Sequence, residues 1–199
     1  MVVESALAAE EKGNAMLIVK RILTGIVILA AVLVVIAYIL PRHATVFRSV
    51  EIAAPAAAIY PIVSDLRRFN EWSPWAEIDP ATEYTFTGPT DGVGQTMNWS
   101  SANPTVGSGS QTITRLEPGR TVETALDFGV QGIANASLDL EPAGAGTKVT
   151  WGFTTDLGFN PIYRYFGLMF DSWIGADYEK GLAKLKSVVE SAPTTPAPG

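Results

Sequence analysis

Three carboxylates and one phenol stand where proton-transfer chemistry would be sought in this chain: Asp65, Glu71, Asp171 and Tyr163. A carboxyl group held in an apolar cleft has a raised pKa and can serve as general acid or base, provided donor and acceptor both reach a sequestered substrate. Solvated helix ends explain the three acids as well, so they are weak catalytic candidates. Other reaction classes are closed off by composition. There is no cysteine, and His43 is the single histidine, at the edge of the globular part. That excludes a thiolate nucleophile, zinc-finger spacings, a disulfide framework and any His-based dyad or triad in the globular part. No metal centre and no cofactor is expected. Gly92-Val-Gly94, Gly107-Ser-Gly109 and Gly144-Ala-Gly146 each fall between two predicted strands, so no helix N-terminus faces an anion there and they read as turns.

The second set of notable residues is aromatic. Trp72, Trp75, Trp99, Phe128, Trp151, Phe153, Phe166, Phe170 and Trp173 are candidates for the walls of an apolar ligand site. Each can instead fill a core, and the residue types alone do not decide between the two.

These residues are carried by a long helix and a run of strands. Over 161–190, Ile162, Phe166, Phe170, Ile174, Tyr178, Leu182, Leu185 and Val189 recur at three- and four-residue intervals. They draw one apolar stripe down a single helix about 45 Å long. Asn160 can cap it and Pro161 suits its first position. Met169 and Trp173 make its first half bulky, whereas Gly175, Ala176, Gly181 and Ala183 make its second half slim. From residue 82 to 156 the period changes to two, with turn residues about every ten positions. Strands are expected at 82–87, 94–100, 109–117, 121–128, 132–141 and 147–155, and another at 45–53. Arg48 interrupts the apolar side of that first strand, either at its solvated end or as an anion contact in a cavity. Between the first strand and the rest lie two short helices, the first kinked by Pro61, followed by an irregular stretch through Trp72-Ser-Pro-Trp75.

Strand, two helices, six strands and a long helix form the helix-grip order: an α+β fold with a seven-stranded antiparallel sheet wrapped around a C-terminal helix. At this point the chain resembles the START/birch-pollen-allergen superfamily (SRPBCC), in its polyketide cyclase/dehydrase-like branch. The match rests on the strings Arg48 to Pro55, Val63 to Phe69 with Trp72 to Trp75, Gly107 to Pro118, Leu140 to Pro142 with Gly146 to Trp151, and Asp177 to Lys186. The resemblance implies a cavity between sheet and helix for an apolar ligand such as a lipid, isoprenoid or polyketide-like molecule.

The N-terminus supplies an address. Residues 22–40 contain no charge and would rise roughly 28 Å as a helix, close to a bilayer core. The expected organisation is a disordered tail at 1–15, a transmembrane signal-anchor helix at 16–43 with its core at 22–40, a helix-grip domain at 44–190, and a disordered tail at 191–199. Three basic residues precede the span and two follow it, Arg42 and Arg48. The bias favours a cytoplasmic N-terminus and a domain outside the cytoplasm, periplasmic in a bacterium. From Ala44 onward ten Lys and Arg face seventeen Asp and Glu, which disfavours nucleic acid as a partner.

Three functions remain open at this stage. The first is a membrane-anchored binding module for a hydrophobic small molecule or lipid. The second is a cyclase or dehydratase using the acids above, and the third is a cavity-less membrane-tethered adaptor. The sequence does not set the oligomeric state.

Overall fold

The two-residue alternation after Thr82 becomes six strands, β2 (Glu83–Thr87), β3 (Thr96–Ser100), β4 (Ser108–Glu117), β5 (Thr121–Asp127), β6 (Ile133–Ala143) and β7 (Gly146–Asp156). They follow β1 (His43–Ile52), and every neighbouring pair is antiparallel in the order β1-β7-β6-β5-β4-β3-β2. This computed structural model describes residues 2–192, the side chains of 2–13 and 15 excepted. The helices are α1 (Val2–Ile39), α2 (Ala56–Val63), a 3-10 helix (Leu66–Glu71), α3 (Trp75–Ile78), α4 (Pro161–Gly167) and α5 (Phe170–Ser191), with a short 3-10 turn at Gly129–Gln131.

The core forms where the concave sheet meets α5. Val46, Ile52, Ile113, Val122, Leu138, Leu140 and Val149 from the strands are buried together with Tyr178, Leu182, Leu185 and Val189 of α5. The slim second half of α5 allows close approach. Gly181 lies against the Trp151 ring, where a Cβ would sit 2.7 Å from Cζ3, and a Cβ on Gly175 would collide with the Arg48 guanidinium.

Three expectations are corrected. The helix foreseen over 161–190 is two helices: after Gly167 the chain tightens through Leu168 N–H to Tyr165 O and Met169 N–H to Phe166 O before α5 begins. Gly167 packs directly on Leu157, and the break turns Ile162 and Phe166 away from the stripe, leaving both exposed. Pro61 lies inside α2, and the expected pair of short helices is α2 and the 3-10 helix Leu66–Glu71. Helix α2 continues to Val63 because Ile62 and Val63 are buried, and it stops at Ser64. The stretch after Trp72 contains the short helix α3. The backbone of α1 begins at Val2, within the stretch 1–15, whose Ala, Leu, Glu and Lys residues favour helix when an adjoining helix supplies the nucleus. The tail foreseen at 191–199 lies outside the described residues from 193 on. Finally, Arg48 neither ends in solvent nor reaches into a cavity: it pairs with Asp171 (2.9 Å) and Glu179 (2.6 Å), tying β1 to α5.

Among the described residues, one helical segment, Met16–Ile39, is long and apolar enough to cross a membrane. It is joined firmly to the domain. Arg164 of α4, itself buried, donates to the carbonyls of Ala37, Tyr38 and Leu40 at 3.2–3.4 Å, where the negative end of the helix dipole favours a cation. The Tyr165 hydroxyl donates to Leu33 O at 2.7 Å. Arg42 pairs with Asp156, and Leu157 N–H donates to Arg42 O.

Candidate ligand cavity

Period-two alternation on β3 to β7 turns one face of the sheet toward α5, and a cavity of about 370 Å³ lies between them. That volume falls in the range of small-molecule sites. Its floor is Met97, Trp99, Gln111, Leu126, Ala134, Ala136, Trp151 and Phe153; Phe170, Trp173, Ile174, Asp177 and Tyr178 of the helix form its roof. Phe69, Ser73 and Trp75 close one side, and the loops at Pro104 to Ser108 and Phe128 to Ile133 border another.

The cavity lies where β6 carries small side chains, and the space closes where Gly181 of α5 lets the helix approach Trp151. Ala134 and Ala136 leave the floor low in the half of the sheet near Asp156, whereas Leu138 and Leu140 fill the other half. Trp151 is the partition between the halves. It stacks on Tyr178 at 3.8 Å between centroids and meets Trp72 edge-on at 4.9 Å.

Of the nine aromatic candidates, Trp75, Trp99, Phe128, Trp151, Phe153, Phe170 and Trp173 line this space. Trp72 does not. At 1% exposure it is a core plug, with Phe69 edge-on at 4.9 Å. Phe166 is also outside, exposed on α4 because of the helix break.

None of the four proton-transfer candidates lines the cavity. Asp65 caps the 3-10 helix by accepting from Arg67 N–H, and it also accepts from the amide of the fully buried Gln95. Glu71 is held by Arg68 at 2.8 and 2.7 Å. The Arg68 hydrogen bonds keep the Glu71 carboxyl below its ordinary pKa, and Arg48 does the same to Asp171. This is opposite to the shift a carboxyl proton donor needs. Tyr163 is exposed on α4.

The polar groups that do reach the cavity were not singled out from the sequence. Gln111 is buried and donates to Thr124 Oγ1 at 3.1 Å. The Ser73 hydroxyl is buried with no hydrogen-bond partner in the protein. Burial pushes the Tyr178 phenol well above its ordinary pKa, so it is a neutral donor. Asp177, in the lining, lies 3.6 Å from Lys180. A polar residue at an inward position of a strand, as Gln111 is beside Ile113, was the available signal. Among the described residues, no group of three or more His, Asp and Glu could hold a metal ion.

Residues 43–190 match the family described as polyketide cyclase / dehydrase and lipid transport. No curated protein matches. The fold is similar to the crystal structure of Ara h 8.0201, with TM-score 0.55 and 14% identity over 75% of this chain and 99% of that one. It is similar to the di-domain ARO/CYC StfQ from the steffimycin biosynthetic pathway, with TM-score 0.56 and 12% identity over 74% of this chain and 51% of that one. It is also similar to the Aha1 dimer from Colwellia psychrerythraea, with TM-score 0.50 and 17% identity over 75% and 98%. Identities this low carry the fold and no activity. The family match spans all seven strands and both helices of the C-terminal pair, so the chain belongs to the polyketide cyclase / dehydrase and lipid transport family, and its globular part is a ligand-binding or cyclase-like domain.

Proposed function

We propose that this protein is a membrane-anchored binding module that holds a hydrophobic small molecule or lipid between the sheet and α5. The observation that carries the reading is the cavity of about 370 Å³ with a mostly aromatic and aliphatic wall. A closed adaptor core would instead fill that volume, since cores pack to crystal-like density. Binding is favoured over cyclisation because the candidate acids are engaged elsewhere, in ion pairs and a helix cap. The unpaired Ser73 hydroxyl offers one hydrogen bond to a polar group on an otherwise apolar ligand, which gives orientation inside a greasy wall. Residues 22–40 anchor the domain in the membrane, with the N-terminus cytoplasmic and the domain outside, as the basic residues on either side favour.

Quenching of tryptophan emission tests the binding reading, because Trp75, Trp99, Trp151 and Trp173 all line the cavity. The full chain in nanodiscs is titrated with a brominated fatty acid, and native mass spectrometry of the same sample looks for a retained mass. Saturable quenching with one bound mass is expected. Quenching that only tracks partition into the lipid, with no bound mass, refutes the reading. Protease added to intact spheroplasts checks the topology: digestion of the domain before permeabilisation is expected, and its survival overturns the assignment.

A further inference from the structure

We infer that the cavity opens onto the membrane, with α4 and the loop Phe128 to Ile133 sunk into the lipid surface around its mouth. This rests on the anchoring reading above and adds the orientation of the domain, the identity of its lipid-contacting surface and the route of the ligand.

The first observation is depth. Tyr165 of α4 reaches the carbonyl of Leu33, six residues before the end of α1. At 1.5 Å per residue that lies about 9 Å back along the span. If α1 crosses the bilayer roughly upright, α4 cannot stand clear of it. A displacement of this size matches the 5–10 Å to which interfacial helices bury their apolar faces. The buried Arg164 holds α4 there by bonds to three carbonyls at the end of α1.

The second observation is which end of the sheet carries the mouth. Strand register places His43 opposite Asp156, Ala134 opposite Thr155, and Ile133 opposite Asp127, which itself faces Ser110. The ends of β5 and β4 that border the cavity opening thus share one edge of the sheet with His43, where the anchor leaves. The turn at Pro118 to Arg120 is on the opposite edge.

The third observation is what that edge exposes. Val130 is 99% exposed, Ile133 and Phe159 71%, Ile162 62% and Leu168 61%. Ile133 lines the cavity and Val130 lies in the same loop, Ile162 and Leu168 belong to or directly follow α4, which packs on α1, and the Phe159 ring lies under Arg42. The neighbouring charges are engaged: Asp156 by Arg42, Asp127 by Gly129 N–H and Asp171 by Arg48. An apolar rim this extensive beside an anchor has the bilayer as its nearest apolar phase. A ligand taken from there is an acyl or isoprenoid chain that slides past Ile133 without entering water.

The chain has no native cysteine, so a single introduced thiol can report its own depth. Ile133→Cys, Ile162→Cys, Ile28→Cys and Arg120→Cys variants of the full chain are labelled with an environment-sensitive fluorophore and reconstituted in phosphatidylcholine vesicles. Some vesicles carry spin-labelled lipid with its quencher near the headgroup, others near the chain end. Labels at 133 and 162 should lose emission to the shallow quencher, the label at 28 to the deep one, and the label at 120 to neither. Labels at 133 and 162 that behave like 120 while 28 is still quenched would overturn the inference and leave anchoring intact. If 28 also escapes quenching, anchoring fails and the inference fails with it. Shielding of 133 and 162 by a second copy of the chain, seen as self-quenching without lipid quenching, overturns it too. Ile162→Asp lies outside the cavity wall, and it should slow transfer of a brominated lipid from vesicles to the cavity about fivefold, the cost of a charge near the interface.

Discussion

Replacing Ala136 with leucine asks directly whether the space above β6 is a cavity or a loosely drawn core. Ala136 is a buried floor residue between Phe153 on β7 and Thr124 on β5. Leucine adds three carbons, and if they enter the cavity they bury about 2 kcal/mol of apolar transfer free energy at roughly 0.8 kcal/mol per methylene. In a chain of this size that raises Tm by about 4–8 °C. Were the region close-packed, the same side chain would force neighbours off their rotamers at about 1–3 kcal/mol and lower Tm instead. The two alternatives therefore differ in sign. The assay is thermal unfolding of the delipidated full chain in nanodiscs, followed by tryptophan emission, with the brominated fatty acid titration run in parallel. The expected result is a raised Tm together with weakened binding. A lowered Tm with unchanged binding would refute the cavity and with it the proposed function.

Ser73→Ala removes a buried hydroxyl that has no partner, so the ligand-free protein should gain about 1 kcal/mol while a ligand with a polar head loses a similar amount of affinity; equal binding by wild type and variant would show that Ser73 does not orient the ligand. Gly181→Ala gains about 1 kcal/mol of helix propensity but meets Trp151 and Pro74, an overpacking cost of about 1–3 kcal/mol, so a net loss of Tm with a shifted Trp emission maximum is expected. A rise in Tm would mean that Trp151 is free to move. Asp156 is depressed from 3.8 to about 2, first by its hydrogen bond with Arg42 and then by Gly158 N–H. Its folded-state pKa is the lower one, so its contribution to stability is present above pH 3.8 and is lost as pH falls toward 2. In acid titrations, wild type and Asp156→Asn should differ at pH 5 and converge near pH 2, and a constant difference would contradict this. Arg164→Met should speed amide exchange over Leu157 to Gly167 by loosening α4 from α1 without abolishing the sheet, and unchanged protection there would count against Arg164 as the tether.

The strands were legible in the sequence because burial of one sheet face imposes a period of two, and the turns between them carry Gly and Pro where the backbone requires them. Gly88, Gly92, Gly119 and Gly144 all have positive φ, which L-residues avoid. The apolar stretch at 22–40 was legible for a similar reason, since composition alone states its preference for an apolar phase. The second half of α5 also follows from its own pattern, with Tyr178, Leu182, Leu185 and Val189 buried at helical spacing.

Other features depended on contacts between residues distant in sequence. Helical spacing continued unbroken through Phe166 and Phe170, yet only the approach of Gly167 to Leu157 shows where the rod divides and why Phe166 leaves the cavity. Trp72 and Trp75 are three residues apart and of one type; one is a plug and the other a wall because Trp151 arrives from β7 against both, and Tyr178 of α5 meets only Trp75 and Trp151. The acids likewise read as candidates until their partners were in place, since a carboxylate's pKa is set by Arg48 or Arg68 brought beside it and not by its own neighbours in the chain. The sequence by itself determined where the strands and the helical stripe lie, at what period, and that one segment is long and apolar enough to span a bilayer. The tertiary structure alone decided where the cavity lies and that its lining loop Phe128 to Ile133 shares an end of the sheet with His43, because void space and strand register are properties of paired surfaces that no single segment encodes.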